Sequence, residues 1–174
     1  MISIEKLHKK DFLHVHELSG SIKGIVQHPG HFYKIMAAHF GDTFFVAKEK
    51  KEDGSIEILG FMMGFLSRKL DGCLFVWQIA VSKNAQGKGV GSRLLDHTIN
   101  YARAVEDCRY IMATVEIDNY ASQKLFEKKG FKNDSATFME TGQEIITEKG
   151  KEAIKNYYGS GTDQIFYVLE VQNH

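Results

Sequence analysis

Apolar and polar residues alternate with a period of two at the start of the chain and change to a helical period soon afterwards. Residues 2–7 alternate, which predicts a strand, and the apolar positions within residues 12–18 recur at the spacing of one helical face. Asp11 stands where it can cap this helix, and Gly20 is expected to break it. A second helical pattern covers residues 32–40. We therefore expect one strand and then two helices.

The middle of the chain is rich in β-forming residues. Residues 44–48 and 56–66 flank an Asp53-Gly54 pair, which predicts an antiparallel hairpin. Residues 73–81 are almost continuously apolar, as expected of a central strand that is covered on both faces. Residues 110–115 predict another strand.

Helical patterns alternate with strands in the second half. An amphipathic helix is expected from Ser92 to Val105, and a second helix can be capped by Asp118 or Asn119 and end near Gly130. Residues 143–158 predict a helix with a charged face, and residues 164–171 predict a final strand. Together these elements predict an α/β sandwich, a mixed sheet with helices on both faces.

Composition supports one ordinary globular domain spanning residues 1–174. The chain has 43% hydrophobic residues, enough for a normal core. Its 22 basic and 22 acidic residues give a formal net charge of zero, so no global field favours nucleic acid or an anionic membrane. The first ten residues lack the apolar core of a signal peptide, and no stretch approaches the roughly 20 apolar residues of a membrane span. We expect a cytoplasmic location.

Metal and disulfide chemistry are not expected. Cys73 and Cys108 are the only cysteines, too few for a disulfide framework, and both are predicted to be free thiols. His28, His31 and His39 have no cysteine or carboxylate at ligand spacing, so surface or packing roles are favoured over a metal site.

The chemistry-bearing segment is a glycine-rich turn between the strand at 73–81 and the following helix. Gly87, Gly89 and Gly91 occupy alternate positions, and such a turn can direct amide N–H groups and a helix dipole at a phosphate. A Walker loop would need Ser or Thr after Lys88, and a dinucleotide loop would need glycine where Ser92 stands. The remaining alternatives are a third kind of phosphate loop or a tight structural corner.

Two motifs then carry a family resemblance. Residues 86–91 (Gln-Gly-Lys-Gly-Val-Gly) resemble the pyrophosphate loop of the GNAT superfamily of N-acetyltransferases. Residues 119–126 and the Lys129-Gly130-Phe131 sequence after them resemble the second motif of that superfamily. The resemblance implies the GNAT fold, a mixed and mostly antiparallel sheet splayed in its middle, and acetyl-CoA as cofactor.

The resemblance also assigns cofactor contacts. The central strand would pair with the pantetheine arm, the glycine turn would hold the pyrophosphate, and the second motif would border the thioester. The residues implied are Ile79, Ala80, Val81, Gln86, Gly87, Lys88, Gly89, Val90, Gly91, Ser92, Asn119, Ser122 and Phe126.

Acetyl transfer to an amine needs a base, because a lysine-like ammonium has a pKa near 10.4. Glu116 follows the strand predicted at residues 110–115 and is the candidate base; the alternative is that it is a solvated glutamate at the end of that strand. The resemblance implies that Asn119 approaches the pantetheine or the amine. The family often has tyrosine where Phe126 stands, and the hydroxyl of that tyrosine can protonate the leaving thiolate. Here either Tyr120 or water would supply that proton, or the thiolate would leave without protonation. No general acid is assigned.

Within the superfamily the chain resembles the diaminobutyrate acetyltransferases of ectoine biosynthesis, through residues 39–43 and 74–81. Trp77 would either wall the amine pocket or fill the core. Tyr33 and Asp42 are further substrate candidates, although Asp42 alone is more typical of a cap. The resemblance fails at residues 26–31, which puts the substrate in doubt.

Three functions stay open at this point. The leading one is acetylation of a small amine such as diaminobutyrate or a related diamine, and the second is acetylation of protein N-termini or lysines. The third is a catalytically silent acetyl-CoA sensor, which the missing tyrosine favours. Relatives of this kind are often dimers, so a homodimer is a further expectation, with no nucleic-acid or membrane partner.

Overall fold

The computed structural model describes residues 2–171, and its strands form one nine-stranded sheet. The strand order is β1-β2-β3-β4-β5-β9-β8-β7, with β6 paired to β9. The strands are β1 (Ile2–Lys6), β2 (Phe44–Lys50), β3 (Ile56–Leu66), β4 (Cys73–Val81), β5 (Tyr110–Glu116), β6 (Lys132–Asn133), β7 (Ile145–Glu148), β8 (Lys151–Ile154) and β9 (Gln164–Glu170). The helices are α1 (Phe12–Ser21), α2 (Gly30–His39), α3 (Val90–Ala104) and α4 (Tyr120–Lys128).

Helices cover both faces of this sheet. Leu94 and Leu95 of α3 and Phe126 of α4 belong to the core on one face. Val15 of α1 and Tyr33 of α2 belong to the core on the other face. The paired strands are antiparallel apart from β4 and β5, so the expected mixed, mostly antiparallel α/β architecture is confirmed.

The sheet opens between β4 and β5. Their parallel pairing runs only from Cys73–Tyr110 to Val76–Ala113, although both strands continue beyond it. At this point Met63 pairs with Gln78 and Gly64 with Val76, which leaves Trp77 as an extra residue in a β-bulge. A Cβ on Gly64 would lie 2.4 Å from the carbonyl oxygen of Phe75, so the bulge requires glycine there. Beyond the bulge, no strand within residues 2–171 pairs with the β5-facing edge of β4.

The helix predicted at residues 143–158 is wrong. This segment contains the antiparallel hairpin β7–β8, in which Ile145 pairs with Ile154. Lys149 and Gly150 both have positive φ, 51° and 77°, which is typical of a two-residue hairpin turn. Burial of Ile154 outweighs the helical preference of the lysines and glutamates around it.

The start of the chain differs in two smaller respects. Gly20 does not break α1, which runs on to Ser21. Asp11 is at the N-cap position but makes no side-chain cap hydrogen bond, because its carboxylate accepts one from Lys48 Nζ at 2.8 Å. No helix within residues 2–171 has the length and apolarity needed to cross a membrane.

Candidate active site

The glycine turn gives α3 an N-terminus with exposed donors. Gly87 and Gly89 have φ of 76° and 78°, a left-handed conformation that side-chain-bearing residues adopt only at a cost. Gly89 is the N-cap of α3, and the Arg93 amide donates to the Gly89 carbonyl oxygen at 3.0 Å. The amides before Arg93 therefore lack an intrahelical acceptor and lie at the positive end of the helix dipole. This arrangement suits a phosphate.

Neighbouring residues of the turn have structural roles. Gln86 Nε2 donates to the carbonyl oxygen of Val81 at 3.3 Å, which fastens the turn to the end of β4. A Cβ at Gly91 would contact Leu125 at 3.4 Å and Val81 at 3.5 Å, so the small residue lets α3 approach both elements.

A cleft of about 700 Å³ lies between the splayed strands and the turn. Most of the residues assigned to the cofactor line it: Ile79, Ala80, Val81, Gln86, Gly87, Gly89, Val90, Gly91, Ser92, Asn119 and Ser122. Lys88 does not line it, and Phe126 lines the next cavity instead. Residues 22–25, between α1 and α2, also line the cleft, and no pattern in the sequence singled them out.

A second cavity of about 300 Å³, the splay cavity, continues from this cleft. The two share Ile79, Glu116, Asn119 and Ser122 among their lining residues. Trp77 lines the splay cavity but not the cleft. The geometry therefore offers a long site for a phosphate-bearing cofactor and a smaller site beside it.

Glu116 and Asn119 are held by the β5–α4 loop. Asn119 caps α4, with its Oδ1 accepting the Ser122 amide at 3.1 Å. Glu116 is exposed at the end of β5. Gln123 Nε2 donates to the carbonyl oxygens of Glu116 at 3.2 Å and Ile117 at 2.7 Å. The buried Gln123 side chain thus fixes the backbone that carries the candidate base.

Lys151 of β8 connects this loop to the rest of the sheet. Its Nζ donates to Gln123 Oε1 at 3.0 Å and forms an ion pair with Glu127 of α4. Tyr167 also donates its hydroxyl to Glu127, at 2.7 Å. Hydrogen bonds from Lys151 and Tyr167 lower the pKa of Glu127. The segment that was wrongly predicted as a helix, residues 143–158, therefore contains strand β8, whose Lys151 stabilises the β5–α4 loop.

Trp77 is a wall residue, 46% exposed and lining the splay cavity. Its Nε1–H lies 3.4 Å from His28 Nε2, which must be the unprotonated nitrogen to accept. Burial lowers the pKa of His28, which favours the neutral imidazole. Trp77 therefore does not fill the core, and its role as a wall of the amine pocket stays a prediction.

Comparison with known proteins identifies the family. Residues 3–131 match the model of the Acetyltransferase (GNAT) family. The chain belongs to this family. The family match and the cleft agree on acetyl-CoA as the acyl donor around which the fold is built.

Among the GNAT relatives, the L-2,4-diaminobutyric acid acetyltransferase of Shouchella clausii (strain KSM-K16) is 42% identical over 96 residues, which are 55% of this chain and 51% of that protein. This chain thus spans about half the length of that relative. The solved diaminobutyrate acetyltransferase of Paenibacillus lautus, in complex with L-2,4-diaminobutyric acid and coenzyme A, is similar with a TM-score of 0.74 and 20% identity, covering 100% of this chain and 98% of that one.

The same fold also occurs in enzymes that act on proteins. The ribosomal-protein-S18-alanine N-acetyltransferase of Escherichia coli is similar with a TM-score of 0.70 and 18% identity, covering 100% of this chain and 96% of that one. Structural similarity at this identity establishes the GNAT fold and does not choose an acceptor.

Two residues assigned to the substrate, Tyr33 and Asp42, line neither cavity, and their contacts are with other parts of the fold. Tyr33 is fully buried between α1 and α2, and its hydroxyl donates to Ser19 Oγ at 2.9 Å. Asp42 is exposed and pairs with Lys6 of β1 at 2.6 Å, three strands from β4. Phe126, by contrast, reaches the splay cavity although it is only 2% exposed and stacks on Tyr167 with a centroid distance of 5.9 Å.

Sequence reasoning left the role of the C-terminal segment open and did not single out the residue that it contributes to this GNAT site. Tyr158 lines the splay cavity, and its hydroxyl lies 2.9 Å from Thr114 Oγ1 of β5. Burial raises the pKa of Tyr158, and the hydrogen bond with Thr114 partly opposes that shift. The available signal was Gly159 and Gly161 directly after Tyr158, a composition typical of a loop.

Proposed function

We propose that this protein is an acetyl-CoA-dependent N-acetyltransferase that acts on a primary amine of a small molecule, with L-2,4-diaminobutyrate as the first acceptor to test. The observation that carries the proposal is the splay between β4 and β5, which opens onto a helix N-terminus with unpaired amides. The name shared by several curated relatives motivates the choice of diaminobutyrate. Cytoplasmic, single-domain and homodimeric forms stay predictions.

Acetyl-CoA would bind along the length of the cleft. Its diphosphate would accept hydrogen bonds from the amides at the start of α3, where Gly87 and Gly89 leave open space above the backbone. Its pantetheine arm would pair with the free β5-facing edge of β4 between Ile79 and Val81. The thioester would then lie where the cleft meets the splay cavity.

The reaction proposed is direct attack in a ternary complex. The amine lone pair attacks the thioester carbonyl carbon, the carbon–sulfur bond breaks, and coenzyme A leaves as a thiolate that takes up a proton. Glu116 lines both cavities and is the proposed base for the proton lost by the amine, acting directly or through water. Asn119 would border the pantetheine, with its side-chain oxygen engaged in capping α4.

The test is acceptor-dependent release of coenzyme A. Purified protein is incubated with acetyl-CoA and L-2,4-diaminobutyrate, the free thiol is followed with time, and the acetylated product is identified by mass spectrometry. We expect thiol release that depends on the amine and matches the product formed. The protein's own Cys73 and Cys108 are buried and should contribute little background.

The silent-sensor alternative has one observation in its favour, since Phe126 offers no hydroxyl to the leaving thiolate. It predicts saturable acetyl-CoA binding without thiol release for any small amine or peptide. Release with peptides alone would instead support a protein acetyltransferase. Either result would overturn the proposed function.

A further inference from the structure

We propose that the cofactor cleft contains a second phosphate subsite at its far end, in which Lys128 of α4 pairs with the 3′-phosphate of coenzyme A. Lys128 lines the cleft and does not line the splay cavity. The inference rests on the coenzyme A site of the proposed function. It adds the contact by which the protein would select coenzyme A thioesters over thioesters that lack this phosphate.

Helix α4 fixes the order of sites along the cleft. Its N-cap, Asn119, lines both cavities and therefore lies at the splay end. Leu125 lies beside the glycine turn, since a Cβ at Gly91 would be 3.4 Å from its side chain. Lys128 follows Leu125 by about one turn on the same side of the helix, about 4.5 Å further along the axis. The splay, the glycine turn and Lys128 therefore follow one another along the cleft.

This order matches the covalent order of coenzyme A. The proposed function puts the thioester where the cleft meets the splay cavity and the diphosphate at the start of α3. The diphosphate is esterified to O5′ of the adenosine ribose, and the same ribose carries the third phosphate on O3′. Because the pantetheine arm extends toward the splay, the ribose would lie on the other side of the diphosphate. The third phosphate would therefore lie at the end of the cleft that Lys128 lines.

The ammonium group of Lys128 is free to take a ligand. Other lysines around α4 are engaged, Lys129 with Asp96 at 2.6 Å and Lys151 with Glu127. Within residues 2–171, no carboxylate forms an ion pair with Lys128. The side chain is exposed, so a phosphate can bind it without breaking an ion pair inside the protein.

The charges that line the cleft differ between its two ends. Glu116 and Asp118 precede α4 and lie at the splay end, where the proposed acceptor brings an ammonium group. Lys23 is the other lysine within residues 2–171 that lines the cleft. It directly precedes Gly24, which lines both cavities, so Lys23 lies nearer the splay. Lys128 is therefore the cation placed for the phosphate furthest from the thioester.

Coenzyme A and 3′-dephospho-coenzyme A differ only in this phosphate, so their dissociation constants measure the subsite. Isothermal titration calorimetry gives both constants for the unaltered protein. We expect coenzyme A to bind roughly three- to tenfold more tightly, because exposed ion pairs are weak but a phosphate carries more charge than a carboxylate. The ratio should shrink as the salt concentration rises, since salt screens exposed charges.

The test of location is Lys128→Met, which removes the charge and keeps an unbranched side chain with a good helix propensity. We expect it to weaken coenzyme A binding to the level of the dephospho form and to leave binding of the dephospho form unchanged. Lys124→Met is the matched control, since Lys124 is also an exposed lysine of α4 but does not line the cleft. Lys128→Arg retains the charge and should retain the selectivity.

Steady-state kinetics give a second readout. With acetyl-3′-dephospho-coenzyme A as donor, the unaltered protein should show a higher donor KM at unchanged kcat. The reason is that the missing contact is remote from the reacting atoms and is made equally in the ground state and the transition state. Lys128→Met should show nearly equal KM values for the two donors.

The outcomes separate this inference from the proposed function. Thiol release with acetyl-CoA and diaminobutyrate, combined with equal affinity for the two nucleotides, would overturn the subsite and leave the proposed function standing. Selectivity that disappears in Lys128→Met, in a protein that releases no thiol with any amine, would support the subsite and refute the proposed function. Selectivity that survives Lys128→Met, or that Lys124→Met or Lys23→Met removes to the same extent, would overturn the subsite.

Discussion

Replacing Gly89 by alanine tests the diphosphate site, because the change has two separable effects. Gly89 has φ of 78°, and a side chain in that left-handed conformation costs about 1–2 kcal/mol of stability. No atom of the described residues lies within 4 Å of the added Cβ, so no clash among them adds to this cost. The methyl group would occupy the space that a phosphate needs in order to approach the amides.

The magnitude for binding follows from the hydrogen bonds at risk. A hydrogen bond to a charged group contributes about 1.5–3 kcal/mol, so losing one weakens coenzyme A binding roughly ten- to a hundredfold. Gly89→Asp should weaken binding further, because its carboxylate would repel the diphosphate. Isothermal titration calorimetry with coenzyme A measures the dissociation constant, and thermal unfolding measures stability.

Gly54→Ala is the matched control. Gly54 has φ of 83° and an open Cβ position, but it lies in the β2–β3 turn and does not line the cleft. Both alanine variants should lose a similar few degrees in melting temperature, on the order of 2–8 °C. Only the Gly89 variant should lose affinity. Equal coenzyme A binding by the two variants would refute the placement of the diphosphate at the start of α3.

Three further predictions concern the residues around the splay. Glu116→Gln should lower kcat by a factor of about 10²–10⁴ and leave coenzyme A binding intact. The control is Asp118→Asn, which removes a carboxylate that lines the cleft but not the splay cavity and should leave kcat unchanged. Equal kcat values for the two variants would exclude Glu116 as the base. Lys151→Met leaves the buried Gln123 Oε1 without its hydrogen-bond donor and should cost about 1–3 kcal/mol of unfolding free energy, with kcat falling more than KM changes. A loss of stability at unchanged kcat would limit Lys151 to a structural role. Because the pKa of His28 is lowered in the folded protein, the unfolded chain takes up a proton at a higher pH than the folded chain, so stability should fall as pH drops below 6.5. Trp77 fluorescence should change over the same titration, with a midpoint below 6.5. A His28→Phe variant that shows the same transition would exclude His28 as its source.

The cofactor half of the site was predictable because its determinants are local in sequence. A buried strand, alternate glycines and a helix start follow one another between residues 73 and 105, and each leaves its own pattern. The conformation of the turn depends on glycine at positive φ, which sequence alone can indicate. The same local motifs carry the family resemblance, and it is the resemblance that implied the splay and the cofactor contacts from Ile79 to Ser92.

The acceptor half was not predictable in this way, because its determinants are contacts between distant segments. Tyr33 and Asp42 were chosen for their chemical type, yet one fills the core between two helices and the other pairs with Lys6 at a remote edge. The helix assigned to residues 143–158 failed because local propensity was outweighed by pairing between β7 and β8 and by burial of Ile154.

The two halves of the site also differ in how far family membership determines them. The family match ends at residue 131, and this stretch contains the glycine turn, both splayed strands and Glu116. Tyr158, Ser160, Thr162 and Gln164 of the splay cavity lie beyond it. A chain can therefore keep the donor chemistry of the family while its last 40 or so residues change the acceptor, because these four residues line the splay cavity and do not line the cofactor cleft. It follows that the family match bears mainly on how acetyl-CoA is held, and that the acceptor site also depends on residues that follow the matched stretch, such as Tyr158.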